Sequence, residues 1–255
     1  MNEMGKELNI LWLWPDILNL HGDRGNVMAL VRVCGLYGIG AKVTRVNRLS
    51  DDFDPERADI ILLGPGELAV MPQIAGALSK HFAELKSWTE SSGVLFATGT
   101  TGAALGVQTR RLDGSYIFGL GLLDIECGER KEILGDDLIF RTPGGLGIYG
   151  IQIQLADIHL AAGQRSFGKI VYGYGNNGGE AEGAESGNVI FTNALGPILV
   201  KNPWLALDLI NRARARSAQS GDRGHPLAPD PDLFKFEYAS AKAIGIFNEK
   251  KERPR

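Results

Sequence analysis

The residues best placed to do chemistry lie in the stretch Val94 to Gly106, VLFATGTTGAALG. A short apolar run stops at Thr98, crosses Gly99, Thr100 and Thr101, and resumes in the helix-compatible Ala103-Ala104-Leu105, which reads as strand, tight turn, helix. Such an elbow displays a nucleophile, and the helix start behind it offers free N–H groups to an anion or a developing oxyanion. This elbow carries neither cysteine nor serine. A second glycine turn, Gly64-Pro65-Gly66, also follows an apolar run and can present backbone N–H groups. Thr98 or Thr100 could attack an acyl carbon only beside a base, and no histidine stands near either in sequence.

The elements that must position these turns follow from hydrophobic pattern. Leu8–Leu13, Ala58–Leu63 and Val94–Thr98 are continuous apolar runs, as strands buried on both faces of a parallel sheet require. Ala41–Val46 alternates like a further strand. Val27, Leu30, Val31 and Cys34 keep helical spacing up to Gly38, and Ile74, Leu78, Phe82 and Leu85 mark one helix ending near Trp88. The order predicts an α/β fold, a mainly parallel sheet with helices on both faces, with its site at the strands' carboxyl ends. Gly64–Gly66 and Thr98–Gly102 then face one crevice.

After Gly106 the texture changes to short apolar runs, Tyr116–Ile125, Leu138–Arg141, Ile148–Leu155, Ile170–Tyr174 and Val189–Thr192, which read as short strands and hairpins. Asn202-Pro203 opens a helix through Ala215 that closes the domain at about residue 216. Residues 217–255 read as a linker by composition, then a docked or flexible tail with aromatics between Leu233 and Phe247.

The 255 residues, 44% hydrophobic and 22% charged, can bury a large core. A formal net charge of −3 gives no general attraction to nucleic acid or anionic lipid. Cys34 and Cys127 are too few for a disulfide scaffold and lack zinc-site spacing. Cys34 sits in a core stripe, and Cys127 is not on the elbow. MNEMGKELNI has no apolar run fit for a signal peptide, and no stretch of the chain is apolar enough to span a membrane, so the cytoplasm is the expected location. His21 reads as a polar turn residue and His159 as structural.

Four segments, WPDILNLHGDRGNVMAL, GLGLLDIE, VYGYGNNGGEAEG and LGPILVKNPWLALDLI, resemble the GatD family, the glutamine amidotransferase subunit of lipid II isoglutaminyl synthase within the CobB/CobQ-like amidotransferases. The likeness spans roughly residues 8 to 215. It implies a class I amidotransferase fold of flavodoxin-like, three-layer type. It also implies glutamine as substrate, no cofactor or metal, and a MurT-like, ATP-using Mur ligase partner that amidates the D-glutamate of a peptidoglycan precursor.

In that family a cysteine thiolate attacks the glutamine amide, a histidine moves the proton and backbone N–H groups hold the oxyanion. Aligned from Leu105-Gly106, the cysteine position falls on Gly99, or on Thr98 or Thr100 after a small shift. The segment resembling GFENHSGRT places the histidine position on Gln154. Where relatives often read LHGPLLPKNP this chain has LGPILVKNP, so a third histidine is also absent. Arg130 is the nearest candidate for the glutamine-binding arginine expected shortly after GLGLLD, Gly64-Pro65-Gly66 keeps the oxyanion-type loop, and Gly64, Gly66 and Thr98 join Arg130 as the expected substrate-binding residues. Three functions follow: a GatD-like subunit without glutaminase chemistry, an active amidotransferase with another nucleophile, or a small-ligand or anion-binding protein on the same fold.

Overall fold

The structure, a computed structural model, describes residues 7–91, 93–217 and 225–249. The expectations for residues 1–6, 218–224 and 250–255 lie outside them. Chain order gives β1 (Leu8–Leu13), α1 (Arg24–Leu36), β2 (Ala41–Val46), β3 (Ile60–Leu63), α2 (Met71–Ser79), α3 (Phe82–Glu90), β4 (Val94–Thr98) and α4 (Gly102–Leu105). There follow β5 (Gln108–Arg110), β6 (Tyr116–Phe118), β7 (Ile125–Arg141), β8 (Gly147–Leu160), β9 (Gly168–Tyr172), β10 (Ala181–Glu182), β11 (Ala184–Ser186), β12 (Val189–Thr192) and β13 (Ala194–Leu195). Three helices end the chain: α5 (Ile198–Lys201), α6 (Pro203–Ser217) and α7 (Lys235–Glu249).

The first sheet runs β11-β12-β4-β3-β1-β2, parallel at every pair except β11 with β12. Its apolar strands are buried on both faces because side chains alternate. Leu11, Leu13, Ile61, Leu63, Leu95 and Ala97 join the core with α2, α3 and α4. Ile10, Trp12, Ile60, Leu62 and Phe96 join the core with α1 and α6. This is the expected three-layer α/β arrangement.

Two expectations need correcting. The helix predicted from Ile74 to Trp88 is two helices. His81 leaves helical geometry (φ −113°, ψ 19°), and its ring lies on Phe53 at 4.1 Å. The strands after Gly106 are not all short, since β7 and β8 form an antiparallel ribbon of 17 and 14 residues within a seven-stranded sheet. The largely polar run Gly128–Asp137 concealed it, because no residue of that stretch is fully buried and a register shift between Glu129 and Leu134 interrupts the alternation.

Helix α7 docks through Phe234, the residue just before it, buried beside Tyr37, and through Tyr238, stacked on Trp204 at 4.6 Å. Among the described residues no helix is long and apolar enough to cross a membrane.

Strand β4 is seated by Trp88, whose Nε1 donates to the Ala58 carbonyl at 2.8 Å. A Cβ at Gly93 would lie 2.1 Å from that indole. Gly93→Ala should therefore displace the ring and cost about 3 kcal/mol, read as a lower denaturation midpoint with an unchanged slope.

Candidate functional site

The two glycine turns meet. The Gly66 N–H donates to Thr100 Oγ1 at 3.0 Å, and that hydroxyl donates to the Gly66 carbonyl at 2.6 Å, so both turns are locked at the carboxyl end of the first sheet. Gly99 is the elbow's conformational residue, with φ of +62°. Gly102 is its packing residue, since a Cβ there would lie 2.7 Å from the Phe191 ring.

A side chain at Gly99 would emerge against Pro65 Cβ at 3.0 Å and Leu195 Cδ2 at 3.2 Å. The group that faces the elbow position is thus a leucine from the LGP segment. Gln154 lines the same hollow, together with Leu68, Thr100, Ala103, Cys127 and Asn193. Its amide is fully engaged: Nε2 donates to the carbonyls of Ala156 and Asn176 at 2.7 and 2.8 Å, and Oε1 accepts from Gln152. The hollow measures about 20 Å³. That volume admits at most one water, whereas ligand pockets begin near 300 Å³. No histidine among the described residues lines it. Burial pushes the Cys127 thiol up to about 12, so the only sulfur there is protonated near neutrality.

Arg130 does not line this hollow. Its guanidinium donates to Asp157 at 2.5 Å and to the Tyr174 hydroxyl at 2.9 Å, and it stacks over the Tyr174 ring. His159 lies at the surface beside Asn177, and His21 is exposed with φ of +60°.

The GDRGN turn supplies what sequence reasoning missed. Asp23 is buried, and its Oδ1 accepts from Thr98 Oγ1 at 3.2 Å and from Asn26 Nδ2 at 2.6 Å. Asn26 Oδ1 accepts the Leu199 N–H at 2.8 Å, and a Cβ at Gly25 would overlap Pro197 at 2.3 Å. The turn therefore ties the elbow strand to the LGPILVKNP segment. Gly64 is required by the same carboxylate, because its Cβ would fall 2.4 Å from Asp23 Oδ2. Only the bare turn composition was legible beforehand, and an acid in a turn usually points to water.

The YGYGNNG segment is likewise internal. Asn176 Oδ1 accepts from Gly183 N–H and from Asn193 Nδ2 at 2.7 and 2.9 Å, and Gln152 exchanges hydrogen bonds with Gly175. Asn193 and Thr192 donate to the buried Glu182 carboxyl, whose pKa burial raises. A neutral amide network thus backs the hollow.

The lipid II isoglutaminyl synthase (glutamine-hydrolyzing) subunit GatD of Streptococcus pneumoniae (strain ATCC BAA-255 / R6) is 30% identical over 210 residues, covering 81% of this chain and 80% of that protein. The chain belongs to the GatD family. The subunit of the same name from Staphylococcus aureus (strain N315) is 28% identical over 226 residues, 88% of each chain. A solved glutamine amidotransferase superposes with a TM-score of 0.52 at 18% identity, covering 80% of this chain and 98% of the other, a likeness of fold. No protein-family model matches the chain. Three of the four segments that carry the GatD resemblance converge here: HGDRGN on the elbow, LGPILVKNP on HGDRGN, and YGYGNNG behind the hollow.

Burial holds Asp23 up at about 7, from an ordinary 3.8, against the pull of its two donors. A carboxyl whose pKa is raised by folding favours the folded state below about pH 4 and loses that contribution as pH rises through 7, by up to about 4 kcal/mol. The melting temperature should therefore fall between about pH 4 and pH 7 and level off above it. Asp23→Asn, which keeps an acceptor for Thr98 and Asn26, should flatten that slope in thermal melts across the same range.

Proposed function

We propose that this protein is a GatD-type subunit that has lost glutaminase chemistry and acts as a binding or regulatory partner of a MurT-like Mur ligase, in the cytoplasm. The single observation that carries the reading is Gly99. The elbow residue has the left-handed conformation of a displayed nucleophile and no side chain, and it faces Leu195 rather than a base. In this reading Gly99 stands at the nucleophile position. Gln154, one candidate for the base position, has its amide committed to carbonyls, and Leu195, which is nearer to Gly99, carries no proton to move.

Thr100 does not supply a substitute. Its hydroxyl joins the two turns, and no base adjoins it among the described residues, so an active enzyme with a threonine nucleophile finds no support. The collapsed hollow also argues against glutamine binding at this place. Gly64, Gly66 and Thr98 serve in this reading as the frame of a former oxyanion wall. Arg130 serves the Asp157–Tyr174 pair.

The purified chain, alone or with the ligase it accompanies, should release no glutamate from glutamine above a buffer control. Glutamate release that tracks the native chain would sink the proposal.

Chemistry should return only with both missing groups. Gly99→Cys combined with Leu195→His, or with Gln154→His, should give glutamate release at least about tenfold above either single change, because a thiol and an imidazole act as a unit. The Leu195 pairing should be the better one, given the 3.2 Å approach. Cysteine at position 99 must accept φ near +62°, a strain of about 1–2 kcal/mol. Substituting Thr100 instead would break both hydrogen bonds that lock the turns.

A further inference from the structure

A groove of about 560 Å³ opens at the carboxyl end of β1, between β2 and α1, on the opposite face of the sheet from α2 and α3. Its volume falls in the range of small-molecule sites. Trp12 forms part of its wall. Trp12 is only 6% exposed, and its Nε1–H has no acceptor. The other three indoles are all satisfied: Trp14 by the Arg48 carbonyl at 3.1 Å, Trp88 by Ala58 at 2.8 Å and Trp204 by Gly147 at 2.8 Å. A buried donor left unpaired is costly, and the cost is recovered when an acceptor reaches it.

The rest of the groove says what kind of acceptor. Arg45 lies over the Trp12 ring at 5.3 Å and is held only by a surface contact to Asp16 at 3.3 Å, with both side chains half exposed or more. Arg24, at the first turn of α1, makes no ion pair among the described residues, while its own N–H is capped by Asn19 Oδ1 at 2.8 Å. Met28, Val31 and Val43 line the groove as exposed apolar side chains, Met28 at 61%. An apolar wall beside two guanidinium forks and an orphan N–H is complementary to an anion with an apolar body.

We propose that this groove binds a small amphipathic anion, a carboxylate or phosphate on a hydrocarbon or aromatic body. Its head group lies between Arg24 and Arg45 and accepts the Trp12 Nε1–H once Arg45 swings off the ring. Its apolar body lies along Met28, Val31 and Val43. This site is separate from the elbow and does not depend on whether the elbow is active.

Four probes test it on the full-length, 15N-labelled protein: hexanoate and hexyl phosphate, with acetate and inorganic phosphate as tail-less controls. The Trp12 indole resonance is assigned by Trp12→Phe or, if that variant does not fold, by linking the indole N–H to the sequentially assigned backbone of residue 12. Hexanoate or hexyl phosphate should shift the Trp12 N–H downfield and leave the other three indoles in place, and the tighter of the two identifies the head group. Arg24→Gln and Met28→Glu, both on the surface of α1, should each weaken binding about tenfold or more. The proposal is overturned if neither amphipathic probe moves the Trp12 resonance. It is equally overturned if the tail-less anions move it as much, or if both variants bind like the native chain.

Discussion

One buried carboxylate holds the elbow in register with the rest of the fold. Asp23 makes no ion pair among the described residues, so it is kept by two donated hydrogen bonds and by partial protonation near neutral pH. Through Thr98 it fixes the end of β4, and through Asn26 it fixes the start of α5. Gly25 and Gly64 exist to let Pro197 and the carboxylate come that close. The β1–α1 turn, the elbow and the LGPILVKNP segment are therefore one rigid unit, and a change in any of them is felt by the other two.

That frame is separable from the chemistry it surrounds. Backbone geometry at Gly99 depends on strand, turn and helix packing, which persist without a nucleophile. Reactivity depends on two side chains with tuned pKa values, and the positions facing each other here hold a hydrogen atom and a leucine. The amide network of Gln152, Gln154, Asn176 and Asn193 occupies the remaining space with hydrogen bonds that need no titratable partner. The hollow is consequently small, about 20 Å³. Cys127 borders the hollow, and the same burial raises its thiol to about 12 and disfavours the thiolate.

The groove beside Trp12 has the opposite character. It is open, lined by exposed apolar residues and guanidinium groups, and retains an unmet donor. Both features sit at the carboxyl ends of parallel strands, where the fold concentrates loops and helix starts. Their difference lies in what the side chains leave unpaired.

Local periodicity was enough to determine β1, β3 and β4, the α/β layering and the strand–turn–helix at Gly99, because buried parallel strands must be continuously apolar and a sharp turn must carry glycine. The motif segments placed the chain in its family, and the absence of cysteine from the Val94–Gly106 elbow was visible by inspection. Tertiary structure alone decided the rest. The break at His81 comes from a ring packing on Phe53, and the long β7–β8 ribbon from pairing that its polar middle conceals. Asp23 meets Thr98 across 75 residues, Gly99 meets Leu195 across a crossover, and Arg130 turns to Asp157 rather than to the hollow. A sequence pattern records which face of an element is buried, but which side chain stands opposite, and which donor is left without a partner, is settled only when distant segments pack together.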